Sequence, residues 1–153
     1  MFSTDILFLG KPIADDRLKG LETYIGYRLP LDFIYILQKH NSFSLLGSLV
    51  YGVGQELGEA SLDRIYHFEH KEVDNPMFPE LLPFSPDGGG NHYCFDLSKI
   101  QDGLSPVVFW QHDFPYRDKD DIEVCNANFV DWIQEVIIDW TLEDTNYDGS
   151  LKD

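Results

Sequence analysis

At 153 residues, with 27 acidic against 11 basic side chains and a net charge of −16, the chain is one domain's length and favours a basic partner over nucleic acid, whose phosphates it would repel. Ordinary apolar and charged fractions with 14% aromatic residues exclude a disordered chain. No run approaches the ~18 apolar residues a membrane span needs, so no membrane association is expected.

The N-terminus, MFSTDILFLGKP, sets Asp5 ahead of a short apolar run and has no basic segment, so no secretory signal is expected and the compartment reads as cytoplasmic. From Ile13 to Ile25 the apolar residues Ile13, Leu18, Leu21 and Ile25 share a helical stripe, with Asp15 and Asp16 in the first turn where the helix dipole favours them. Arg28-Leu29-Pro30 ends that helix, and Leu31 to His40 forms a second, stopped by Asn41 and Ser42. Leu45 to Val53 predicts one or two short strands, and Gly54 to Ser61 a loop or turn. Leu62 to Val73 fits either a short helix or an alternating strand, with helix preferred. Asn75 to Pro86 holds four prolines in twelve residues and reads as extended loop.

The centre of the chain is Pro83 to Trp110. Asp87-Gly88-Gly89-Gly90-Asn91 turns sharply into a strand in which Tyr93, Phe95 and Leu97 alternate with Cys94 and Asp96, and the apolar run Val107 to Trp110 predicts a strand buried on both sides. An acidic turn at Asp118 to Asp121 and an edge segment at Ile122 to Cys125 follow. Asn126 or Asn128 then caps the last helix, from Phe129 to about Leu142. Phe129, Trp132, Ile133, Val136, Ile137 and Trp140 make its apolar face, and Asp131, Glu135 and Asp139 recur at four-residue spacing on the other. Residues 1–142 read as one domain, and 143–153 as a frayed acidic tail.

From Gln111 to Asp153 acids outnumber bases twelve to three. Concentrated charge steers association, so this third reads as a face for a cationic protein, with candidates Asp113, Asp118, Asp120, Asp121, Asp131, Glu135 and Asp139 and Ile138 as an apolar anchor. The rival reading is a solvated face that only confers solubility. Other constellations are set aside. Asp144 to Leu151 matches the first half of a calcium loop but stops short of the glutamate at position twelve. His67 and His70 read as a surface pair rather than a zinc site. His92 near Cys94 invites a thiol nucleophile, rejected on the expectation that strand neighbours face opposite ways and that no third residue orients the imidazole. No catalytic residue, metal or cofactor is expected. Cys94 and Cys125 read as reduced and buried.

Taken together, Leu29-Pro30-Leu31-Asp32-Phe33, His40-Asn41, Leu46-Gly47, Tyr51-Gly52, PFSPDGGGNHYCFDLS, PVVFWQHD and Asn128-Phe129-Val130-Asp131-Trp132-Ile133 resemble the SUKH superfamily over roughly Ile13 to Trp140. That superfamily includes the fungal cell wall assembly regulator family and many bacterial immunity proteins. The resemblance implies an α+β fold, a twisted, mainly antiparallel sheet flanked by N- and C-terminal helices. It also implies a non-enzymatic protein that binds and neutralises a toxin domain, often a nuclease, or alternatively a regulatory scaffold of wall assembly. The sequence does not give the oligomeric state, and a monomer is the default. Pro30, Asp87, Gly88 and Asp96 are then fold determinants rather than a binding site. One departure is Ser42, where the family usually has glycine.

Overall fold

The strands are short and fall into two antiparallel groups in the computed structural model, which describes residues 1–153. The first sheet orders β1 (Leu7–Leu9), β2 (Phe43–Leu45) and β3 (Ser48–Val50). The second orders β4 (Leu81–Pro86), β5 (His92–Asp96), β6 (Val107–Trp110) and β7 (Glu123–Asn126). The helices are α1 (Asp15–Ile25), α2 (Leu31–Lys39), α3 (Leu62–His67, continued by a π turn Phe68–Glu72), α4 (Phe129–Trp132) and α5 (Trp140–Asp144), the last two joined by a π stretch Ile133–Asp139. This is the α+β architecture the sequence suggests.

Each element has a local cause. Helix α1 ends at Gly26, whose φ of 82° returns its N–H to the Glu22 carbonyl. Pro30 begins α2 as its extended N-cap. Leu46 and Gly47, with φ of 47° and 84°, give the two-residue turn that suits the twist of the β2–β3 hairpin. Asn128 caps α4 by accepting the Asp131 N–H at 2.9 Å.

The proline-rich stretch corrects the expectation of an unbroken loop, since Leu81–Pro86 is strand β4 and is buried from Leu81 to Ser85. Proline is tolerated because β4 lies at the end of its sheet and its pairing with β5 slips between Pro83 and Ser85. Bonds to the first sheet's neighbourhood add to the pairing: the Tyr51 N–H reaches the Phe84 carbonyl at 2.8 Å, and Ser85 Oγ donates to the Leu49 carbonyl at 2.6 Å. These two bonds also link the sheets.

The β5–β6 pair is the antiparallel centre the sequence predicts, and its alternation assigns two cores. Phe95 and Val107 join Phe33, Phe84, Phe129 and Trp132 in the larger one, where Phe33 and Phe95 centroids lie 5.0 Å apart edge to face. Cys94, Val108 and Trp110 face the other way and pack with Met77, Leu81 and Ile122. Helix α4 therefore covers one face of the second sheet, and the connection 111–122 closes the other. Leu97 leaves the strand for a short 3₁₀ turn but stays buried.

Two expectations at the C-terminus change. Trp140, placed on the apolar face by α-helical spacing, is 48% exposed, whereas Ile138 is half-buried against the main core. The π stretch is the reason: bonds from i to i+5 hold more residues in each turn than α bonds do, so later residues rotate around the axis. Residues 145–151 are not frayed. The Tyr147 carbonyl accepts the Ser3 N–H at 2.8 Å, its ring meets Phe2 with centroids 5.0 Å apart, and Thr145 bridges to Leu151.

Candidate functional site

The acidic candidates divide between the two faces of the second sheet. Asp131, Glu135 and Asp139 are exposed on the helical layer that packs against Phe95 and Phe84. Their nearest side-chain partners are neutral amides: Asn128 Nδ2 to Asp131 at 3.4 Å, Asn126 Nδ2 to Glu135 at 3.4 Å and Gln134 Nε2 to Asp139 at 2.9 Å. No lysine or arginine pairs with them, so their charge is undiminished.

The Asp118–Asp121 turn is bonded to the opposite side. Lys119 reaches Asp96 at 3.4 Å and Glu80 at 3.7 Å, and also contacts Ser98, while Lys99 pairs with Asp120 at 2.6 Å. Asp118 spends one oxygen capping the Asp120 N–H at 2.9 Å. Asp96, on the Cys94 face of β5, is almost fully buried and accepts Ser98 Oγ at 2.6 Å and Ser98 N–H at 3.2 Å, which makes it a structural hub. Asp113 lies exposed in the turn after β6, next to His112, whose N–H donates to Asn91 at 3.0 Å. The eight candidates thus form a helical group (Asp131, Glu135, Ile138, Asp139) and a partly neutralised group on the far side.

Asp87 closes the glycine turn. Its Oδ1 accepts the N–H groups of Gly89 at 2.7 Å and Asn91 at 3.0 Å, and its Oδ2 accepts the Asn91 amide at 3.0 Å. His67 and His70 have separate partners: His70 is clamped between the Tyr66 and Phe78 carbonyls at 2.7 and 3.1 Å, while His67 lies 3.4 Å from the Tyr24 hydroxyl. Burial pushes the His70 imidazole down from its ordinary value.

A buried polar cluster escaped the sequence reading. His92, Glu69 and Tyr51 are each 5% exposed or less, with the Tyr51 hydroxyl 3.1 Å from Nε2 and Glu69 Oε1 3.8 Å from Nδ1. Burial lowers His92 to about 4 and raises Glu69 above its ordinary carboxyl value. This corrects the strand argument, because His92 and Cys94 are two apart and share a face of β5, and the imidazole does have orienting neighbours. The Cys94 thiol is nonetheless fully buried and raised well above its ordinary value by that burial, so it is held as thiol, the unreactive form. Tyr51 just after β3, Glu69 in the π turn after α3 and His92 in β5 come from separate stretches, and no spacing in the chain announces them. Both cysteines are free, Cys94 buried and Cys125 half-buried.

Two of the surface grooves bear on the site. One, of about 700 Å³ between α1 and α3, mixes Arg17, Arg64 and His67 with Asp63 and Glu72. The other, of about 470 Å³, lies between α5, the start of the β4–β5 turn and the β2–β3 turn. No helix is long and apolar enough to cross a membrane.

The fold is α+β, with two antiparallel sheets and helices packed on them, and its last helix carries carboxylates without a basic partner. The chain belongs to the SMI1 / KNR4 family (SUKH-1), which matches residues 12–135. It is also similar to the SPbeta prophage-derived uncharacterized protein YokK of Bacillus subtilis (strain 168), 24% identical over 163 residues that take in 90% of this chain and 82% of that protein.

Proposed function

We propose that this chain is a non-enzymatic immunity protein that acts in the cytoplasm, binding a basic toxin domain and occluding its active site. Membership of the SUKH-1 family and likeness to a prophage-derived protein support the class. The observation that carries the reading is the helical group of acids: Asp131, Glu135 and Asp139 face solvent without a basic partner, whereas Asp96, Asp120 and Glu80 are paired within the chain. A fold that leaves one acidic face unneutralised keeps a field that speeds encounter with a cationic protein. Asp113, Asp118 and Asp121 extend that field on the other side of the sheet.

The test is calorimetric titration with the C-terminal domain of a large secreted protein encoded beside this chain, at low and at moderate salt. Tight one-to-one binding that weakens with salt is expected. Tight binding indifferent to salt would keep the immunity role and reject the electrostatic interface, whereas no binding would favour a regulatory scaffold.

A further inference from the structure

We infer that the groove between α5, the β4–β5 turn and the β2–β3 turn is the seat of an extended, lysine- or arginine-bearing segment of a partner protein, anchored by an apolar side chain against Trp140. This rests on the protein-binding reading above and names its contact. The groove's apolar part is built from Tyr93, Val136, Trp140 and Leu46. Trp140 is 48% and Leu46 46% exposed, so two large apolar side chains flank the same concavity.

Two features select the occupant. The charged residues lining the groove, Asp87 and Asp144, are both acidic, and no lysine, arginine or histidine lines it. That excludes an acidic segment and favours a basic one, in a chain whose net charge already attracts cations. The groove between α1 and α3, with both signs present, makes no such selection.

Trp140 is outside because the π stretch turns it there. A continuous α-helix would have put it on the face with Val136 and Phe129, so the irregular turns lose one buried indole and gain one presented to solvent. Such insertions recur at functional sites, and exposed tryptophan in a concave, partly apolar setting is the residue type that dominates protein interfaces. The helical wall from Val136 to Thr145 lies beyond residue 135, where the family match ends, and the opposite wall lies within it.

Trp110 and Trp132 are buried, so acrylamide quenching of tryptophan fluorescence reports Trp140. The probes are the synthetic peptides Ac-Lys-Leu-Lys-Ile-Lys-amide and its glutamate counterpart, added to the full chain. The basic peptide should protect Trp140 from quenching in a salt-weakened manner, and the acidic one should not. Trp140→Phe should retain binding, read by calorimetry, within a few-fold, while Trp140→Ala should weaken it about thirty-fold or more. Asp144→Asn should lessen the salt dependence. Absence of protection at millimolar peptide, or equal binding by Trp140→Ala, overturns the groove. The same alanine variant titrated with the toxin domain separates the two proposals. If the wild-type chain fails to bind that domain while the peptide still protects Trp140, the immunity reading falls and the groove stands. If Trp140→Ala binds the domain as wild type does, the groove falls and the immunity reading stands.

Discussion

Asp32 Oδ2 accepts the backbone N–H of Phe129 at 3.2 Å, across 97 positions of sequence, while its Oδ1 accepts the Phe33 N–H at 2.9 Å. One carboxylate therefore serves the first turns of both α2 and α4 and clamps the C-terminal helix over the aromatic core. Burial pushes its carboxyl up from its ordinary value, opposed by these N–H bonds. Asp32→Ala should cost about 2 kcal/mol by leaving two partly buried donors without an acceptor, and Asp32→Asn about half of that. Urea unfolding checks both, and an alanine variant as stable as wild type would remove the clamp from the account.

Ser42 holds a φ of 80°, the left-handed region that glycine enters freely. Glycine is the residue expected at this point from the family resemblance, and serine here keeps the same backbone shape. Its Oγ donates to the Val50 carbonyl at 2.9 Å, a bond that offsets the strain. Ser42→Ala loses the bond and keeps the strain, whereas Ser42→Gly loses the bond and relieves it. The glycine variant should be the more stable of the two by about 1 kcal/mol in thermal or chemical unfolding.

His92 makes stability depend on pH. Its folded value near 4 lies below the unfolded 6.5, so the unfolded state binds the extra proton between those values and stability falls as pH drops through them. The full effect is about 3 kcal/mol at most. Glu69, raised by burial, acts in the opposite sense, losing its contribution as pH rises from its unfolded value through its folded one, and so blunts the slope. His92→Gln keeps a partner for the Tyr51 hydroxyl and should flatten the descent between pH 6.5 and 4. An equally steep descent in the variant would assign the acid sensitivity elsewhere.

A net charge of −16 with an unneutralised helix repels itself, so the thermal midpoint should rise as salt is added. Replacing Asp131, Glu135 and Asp139 by their amides should raise the midpoint at low salt and shrink its salt response. The same variant should associate more slowly with a basic partner while dissociating at nearly the wild-type rate. Differential scanning calorimetry reads the first pair of effects and stopped-flow fluorescence the second.

Local pattern alone determined much of this protein. The stripe of Leu18, Leu21 and Ile25, the alternation around Cys94 and Phe95, the apolar run from Val107 and the cap at Asn128 are each encoded within one element, and each formed where the spacing indicated. The acidity, too, was legible, because charge is a property of composition. What lay beyond reach was decided by partners distant in sequence. Strand β4 formed through its prolines because β5 and Tyr51 supplied donors that no neighbour in the chain could. Glu69, Tyr51 and His92 meet only when three distant stretches of the chain close together. Trp140 and Ile138 exchanged faces because the last helix runs through π turns, whose wider winding periodic reading, which assumes a constant turn, has no means to register.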